Sequence, residues 1–86
     1  MNETDFYRRL QTLPEGAYDV SYQGRRYLLH KQTLLDGKLI KLFARELGGR
    51  DIVSGNYYCT LKGGMLKPCE MSEAKVIGFV EGLLLE

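Results

Sequence analysis

The chain has 86 residues, 44% of them hydrophobic and 27% charged, and its 12 Lys and Arg against 11 Asp and Glu leave a formal net charge of +1. That length holds one domain, residues 1–86, with one modest core, and the composition excludes a disordered or fibrous chain. No apolar run approaches the ~18 residues that span a bilayer, and Met1 is followed by Asn2, Glu3, Thr4 and Asp5 instead of a basic and apolar leader, so we expect a cytosolic protein with no membrane contact.

The first element is a helix from Glu3 to Leu13, because Phe6, Leu10 and Leu13 repeat at the spacing of one helical stripe. Asn2 or Thr4 is placed to cap it, and Pro14 and Gly16 close it. Alternation around Tyr18, Val20 and Tyr22 predicts a strand over 17–22. Gln23-Gly24 is a two-residue turn, and 25–34 is rich in strand formers. Asp36-Gly37 suits a type I′ turn, whose two central residues need positive φ, and leads into a third strand over 38–47. Gly48 to Asp51 turn the chain into a fourth strand, 52–61. Residues 62–68 read as a loop. Ser72 then caps a second helix whose apolar side is Val76, Ile77, Val80, Leu83 and Leu84, ending near Leu84. Leu85-Glu86 has the look of a cloning-site remnant and is given no role.

The expected fold is α+β, a two-layer α-β-β-β-β-α domain in which a four-stranded antiparallel meander carries both helices on one face. Pairing Tyr22 with Arg25, Leu35 with Lys38 and Leu47 with Ile52 gathers Tyr18, Val20, Tyr27, Leu29, Thr33, Ile40, Leu42, Ala44, Val53, Gly55, Tyr57, Cys59 and Leu61 on one side. Lys31 is the misfit there, and is expected near an edge with its ammonium reaching water. Gly78 and Gly82, a costly pair inside a helix, call for close backbone packing.

The opposite side is expected to hold Arg26, Leu28, His30, Lys41, Phe43, Arg45 and Tyr58 in a cationic and aromatic mixture, with Phe43 across from His30. Residues 25–67 carry nine of the twelve Lys and Arg against three acidic residues, while both flanks are net acidic. Such a face usually meets something; the plain alternative is that long Arg and Lys stems cover Leu28, Leu34 and Phe43. The first expectation is a non-enzymatic interaction module that docks a protein partner or a second copy of itself through this face. The alternative is single-stranded nucleic acid, with bases on the rings and phosphates on Arg and Lys.

Other chemistries have less to stand on. One His and two Cys without a Cys-x-x-Cys spacing make a poor tetrahedral site, so neither a metal nor a cofactor is expected. The Gly48-Gly49 turn precedes a strand, where the phosphate-binding loop geometries do not apply. No catalytic set is legible. The one candidate is Cys69, which follows Pro68 close to the start of the second helix, where the helix dipole favours a thiolate.

The run Leu42-Phe43-Ala44-Arg45-Glu46-Leu47-Gly48-Gly49, then Asp51, Val53-Ser54, Asn56 and Tyr58, and Leu66-Lys67-Pro68-Cys69-Glu70-Met71 with Lys75-Val76, resembles a small family of bacterial domains. The resemblance covers roughly residues 17–83. It implies a bacterial cytosolic domain, and some members of that family carry the label peptide methionine sulfoxide reductase. For this chain that label implies a thiol-dependent redox enzyme that uses Cys69, resolved by Cys59.

Overall fold

The computed structural model describes residues 3–60 and 63–85. Its elements are α1 (Glu3–Thr12), β1 (Gly16–Tyr22), β2 (Arg25–Leu34), β3 (Leu39–Glu46), β4 (Ile52–Thr60), β5 (Gly63–Pro68), α2 (Glu73–Gly82) and β6 (Leu84–Leu85). The strands form one antiparallel sheet in the order β5-β4-β3-β2-β1-β6. The fold is therefore α+β with two helices, but the sheet has six strands and not the four expected.

Both added strands come from segments with weak local signals. β5 begins with Gly63-Gly64, which reads as a flexible loop because glycine lacks the side-chain packing that stabilises a strand. Pairing with β4 overrides that, and the Tyr57 ring occupies the space a side chain at position 64 would take. β6 is two residues long and pairs Leu85 with Val20 and Leu84 with Ser21. α2 accordingly ends at Gly82, and Leu84, expected on its apolar side, is one of the most exposed large apolar residues. Phe79, missing from the expected stripe, is instead fully buried. The expected cap Asn2, Leu61 and Glu86 lie outside the described residues. Thr4 stands inside α1.

Parity carried the sheet faces. Tyr22 pairs with Arg25 and Leu34 with Leu39, as expected, with Gln23 and Gly24 both at positive φ. The second connection is longer than a two-residue turn: Leu35, Asp36 and Gly37 all take positive φ, with an unchanged register beyond them. Between β3 and β4 the expected register is two residues out, since Arg45 pairs with Ile52. A slip of two leaves every side chain on its face, so the error cost nothing in the assignment of the core.

One cluster holds the core: Phe6, Leu10 and Leu13 beside α1, Val76, Phe79, Val80 and Leu83 on and after α2, and Val20, Tyr27, Leu29, Ile40, Leu42, Ala44, Val53 and Tyr57 from the sheet. Both helices thus cover the same sheet face. Their C-terminal ends, where carbonyls lack partners, are each met by a cation. Arg9 of α1 donates to the carbonyls of Val80 (3.3 Å) and Leu83 (2.7 Å) at the end of α2. Lys31 donates to those of Leu13 (2.7 Å) and Gln11 (3.3 Å) at the end of α1. This corrects the expectation for Lys31: it is buried, 6% exposed, and its ammonium faces helix carbonyls and the Glu15 carboxylate 3.8 Å away. At the start of α2 the expected cap is present, as Ser72 Oγ accepts the Lys75 N–H at 3.1 Å.

Candidate functional site

The sheet face away from the helices is set out in cross-strand rows by the register. One row runs Ala17, His30, Phe43, Ser54; the next runs Gln32, Lys41, Asn56, Lys67. Beyond it lie Leu34, Leu39, Tyr58 and Met65, and on the other side Asp19, Leu28, Arg45 and Ile52. Apolar groups remain open to solvent across this surface, with Phe43 41%, Ile52 45%, Tyr58 36% and Met65 48% exposed. Such a concentration on one side of a small domain is the mark of a contact surface.

Charge on this face is one-sided. Arg26, Lys41, Arg45 and Lys67 project from it, and among the described strand residues Asp19 is its one carboxylate. Arg26 donates to Asp19 at 2.9 Å. Lys41, Arg45 and Lys67 make no ion pair among the described residues. The cations stand on β2, β3 and β5, and at a strand spacing of ~4.8 Å the β3 and β5 cations lie two spacings apart, about one Debye length.

Near the middle of the face is a depression of about 490 Å³, lined by His30, Gln32, Lys41, Phe43, Ser54, Asn56, Cys69 and the backbone side of Leu42. Its corner is made by two rings, His30 and Phe43, with centroids 6.5 Å apart and planes at 65°. Its far wall is the link between β5 and α2, which is tied to β4: the Cys69 N–H donates to the Ser54 carbonyl at 3.0 Å, and the Ser54 N–H to Met71 Sδ at 3.3 Å. Among the described residues no carboxylate lines it.

All seven residues expected on this face stand there. His30, Lys41 and Phe43 meet in the depression, whereas Arg26, Leu28, Arg45 and Tyr58 surround it. Cys69, singled out for its thiol alone, joins the same depression and is exposed. Cys59 is elsewhere. It lies half-buried on the helix-covered side, its Sγ 3.4 Å from the Tyr7 hydroxyl. Cys69 adjoins Ser54, five positions from Cys59 along β4. At ~3.3 Å per residue that is about 16 Å, against the ~4.4–6.8 Å between the Cα atoms of a disulfide.

Sequence reasoning missed Lys67 and Met65, because their strand read as a loop. Gln32, Ser54 and Asn56 share the strand parity of His30, Lys41 and Phe43, but nothing in one strand says which polar residues converge. Among the described residues no three His, Cys, Asp or Glu gather as a metal site, and no helix is long and apolar enough to cross a membrane.

A second polar cluster lies at the far rim. Tyr27 donates to Asp51 Oδ2 at 2.7 Å and Lys75 donates to Oδ1 at 2.6 Å. The Lys75 and Tyr27 bonds hold the Asp51 carboxyl below its ordinary value, and burial, with Asp51 beside it, pushes the Tyr27 phenol up. Tyr27 is 2% exposed, and the cluster ties the β3–β4 turn to α2. Comparison with protein-family models, with curated proteins and with solved structures finds no match to the chain.

Proposed function

We propose that the protein is an interaction module that docks an acidic protein partner on its helix-free sheet face. The observation that carries this reading is the combination of four cations with one carboxylate on a surface that leaves Phe43, Ile52, Tyr58 and Met65 open. A partner that presents apolar side chains flanked by Asp and Glu satisfies both features, with the carboxylates steering encounter and the apolar groups supplying the hold.

Self-association through this face is disfavoured by the same charges. In a two-fold dimer a patch meets its own copy, which brings Lys41, Arg45 and Lys67 toward their equivalents without intervening acids. Single-stranded nucleic acid satisfies the cations and the rings, but leaves the aliphatic groups Leu28, Leu34, Leu39, Ile52 and Met65 without a counterpart.

Amide chemical shifts test the reading during titration with synthetic peptides that alternate acidic and apolar residues, with a basic-apolar set as control. The expected result is perturbation confined to β2, β3, β4 and β5 by the acidic set, and a weakening of roughly tenfold or more in Phe43→Glu, as for loss of a central apolar anchor. Shifts on the helical side, concentration-dependent dimers by light scattering, or tighter and steeply salt-dependent binding of short RNA or DNA strands overturn it.

A further inference from the structure

The depression at the middle of the face has a composition of its own, and the geometry points to a small-ligand site there for a nucleoside monophosphate. This reaches beyond protein docking, because the ligand class follows from the lining alone. About 490 Å³ is within the ~300–1,000 Å³ of sites for small organic ligands.

Each part of such a ligand has a counterpart. His30 and Phe43, at 65° to one another, form a corner in which a flat ring stacks on one and meets the edge of the other. Gln32 and Asn56 flank that corner, and each carboxamide offers both a donor and an acceptor, which suits a heteroaromatic edge that carries both. A plain benzene ring leaves those groups unpaired. Lys41 supplies a cation with no ion pair among the described residues, Ser54 offers a hydroxyl, and Lys67 stands across from Asn56 as a second cation. With no carboxylate in the lining among the described residues, a phosphate beside Lys41 and Ser54 meets no like charge.

The exposed thiol of Cys69 lies in the wall, so occupancy can be read at a native side chain with no introduced probe. The rate of Cys69 alkylation by iodoacetamide is followed by peptide mass spectrometry in the presence of adenosine and cytidine monophosphates, adenosine, benzoate or inorganic phosphate, with Cys59 as internal reference. Half-protection is expected at about 0.1–1 mM nucleotide, the affinity of an open site with few contacts, and Lys41→Ala or Phe43→Ala raises that concentration roughly tenfold. Amide shifts of Phe43, Ser54 and Asn56 under the same titration provide a second readout independent of the thiol. Protection by a tetranucleotide at a concentration matching the mononucleotide assigns a free ligand, and protection at a tenfold lower one assigns a nucleotide within a strand. Either result supports a site for this unit; a free mononucleotide leaves the acidic-partner reading standing, whereas a strand bound more tightly than the acidic peptides and with a steep salt dependence overturns that reading as well. No protection and no shift by either nucleotide, or equal protection by benzoate or inorganic phosphate, overturns the proposal.

Discussion

Lys31 shows how one side chain serves two elements. It sits on the covered face among apolar neighbours, where an ammonium is costly, and offsets part of that cost through the carbonyls of Leu13 and Gln11. Lys31→Met keeps the stem and removes the donor, so it should lower stability by about 1 kcal/mol, measured by urea unfolding at neutral pH. Burial lowers the Lys31 pKa below its usual 10.5, so the folded chain gives up this proton before the unfolded chain does. Stability therefore rises with pH across that interval, and the wild type should gain on Lys31→Met as pH climbs toward 10.5. Asp51 has the opposite sign. Its pKa is held below 3.8 by Lys75 and Tyr27, so its contribution is complete above that value and is lost as pH falls through the folded pKa. Asp51→Asn should cost most at neutral pH, with the gap to the wild type closing below about pH 4 in acid-unfolding curves.

At the scale of elements, the glycines separate into those that packing requires and those it does not. A Cβ at Gly64 collides with the hydroxyl end of Tyr57, a buried ring that stacks on Tyr7 at 5.1 Å and meets Phe6 edge-on at 5.6 Å. Gly64→Ala must displace that ring and should destabilise by about 1–3 kcal/mol in thermal unfolding, as overpacking does. The pair in α2 divides. A Cβ at Gly82 comes to 3.0 Å from Tyr22 Cε1, whereas one at Gly78 meets only the Tyr22 hydroxyl oxygen at 3.6 Å, an ordinary contact. The close approach expected of both is required at Gly82 alone. Gly78→Ala should stabilise by about 0.5–1 kcal/mol, because the helix gains alanine's propensity with no clash to offset it. The same rule explains the missed strand: Gly63-Gly64 has no strand propensity of its own, and β5 exists because β4 offers it a ladder and Tyr57 covers its glycine.

For the whole molecule, two faces with different duties lead to separable mutational effects. Phe43→Glu, on a ring already 41% exposed, should leave the unfolding midpoint nearly unchanged, whereas Leu29→Glu on the covered face should prevent folding. The thiols are likewise kept apart. Oxidation with diamide should give no Cys59–Cys69 bond in the folded monomer, read as an unchanged two-thiol count by mass after reduction-free alkylation, because about 16 Å of β4 lies between their positions.

Two periodicities, near four in the helices and two in the strands, settled by themselves which side of α1, α2 and β1 to β4 faces inward. Phe6, Leu10, Leu13, Val76 and Val80 were legible as a covering layer, and Arg26, His30, Lys41, Phe43, Arg45 and Tyr58 as the opposite surface, because a side chain's direction follows from local backbone geometry. A register error of two residues could not disturb that. What tertiary structure alone decided depends on partners distant in the chain: Lys31 inward at the end of α1, Gly63–Pro68 as a strand, Leu85 against Val20, and Cys69 beside Ser54 in one depression with His30, Lys41 and Phe43. These segments have no strong local preference, so the ladder, carbonyl or ring that each one meets fixes its state.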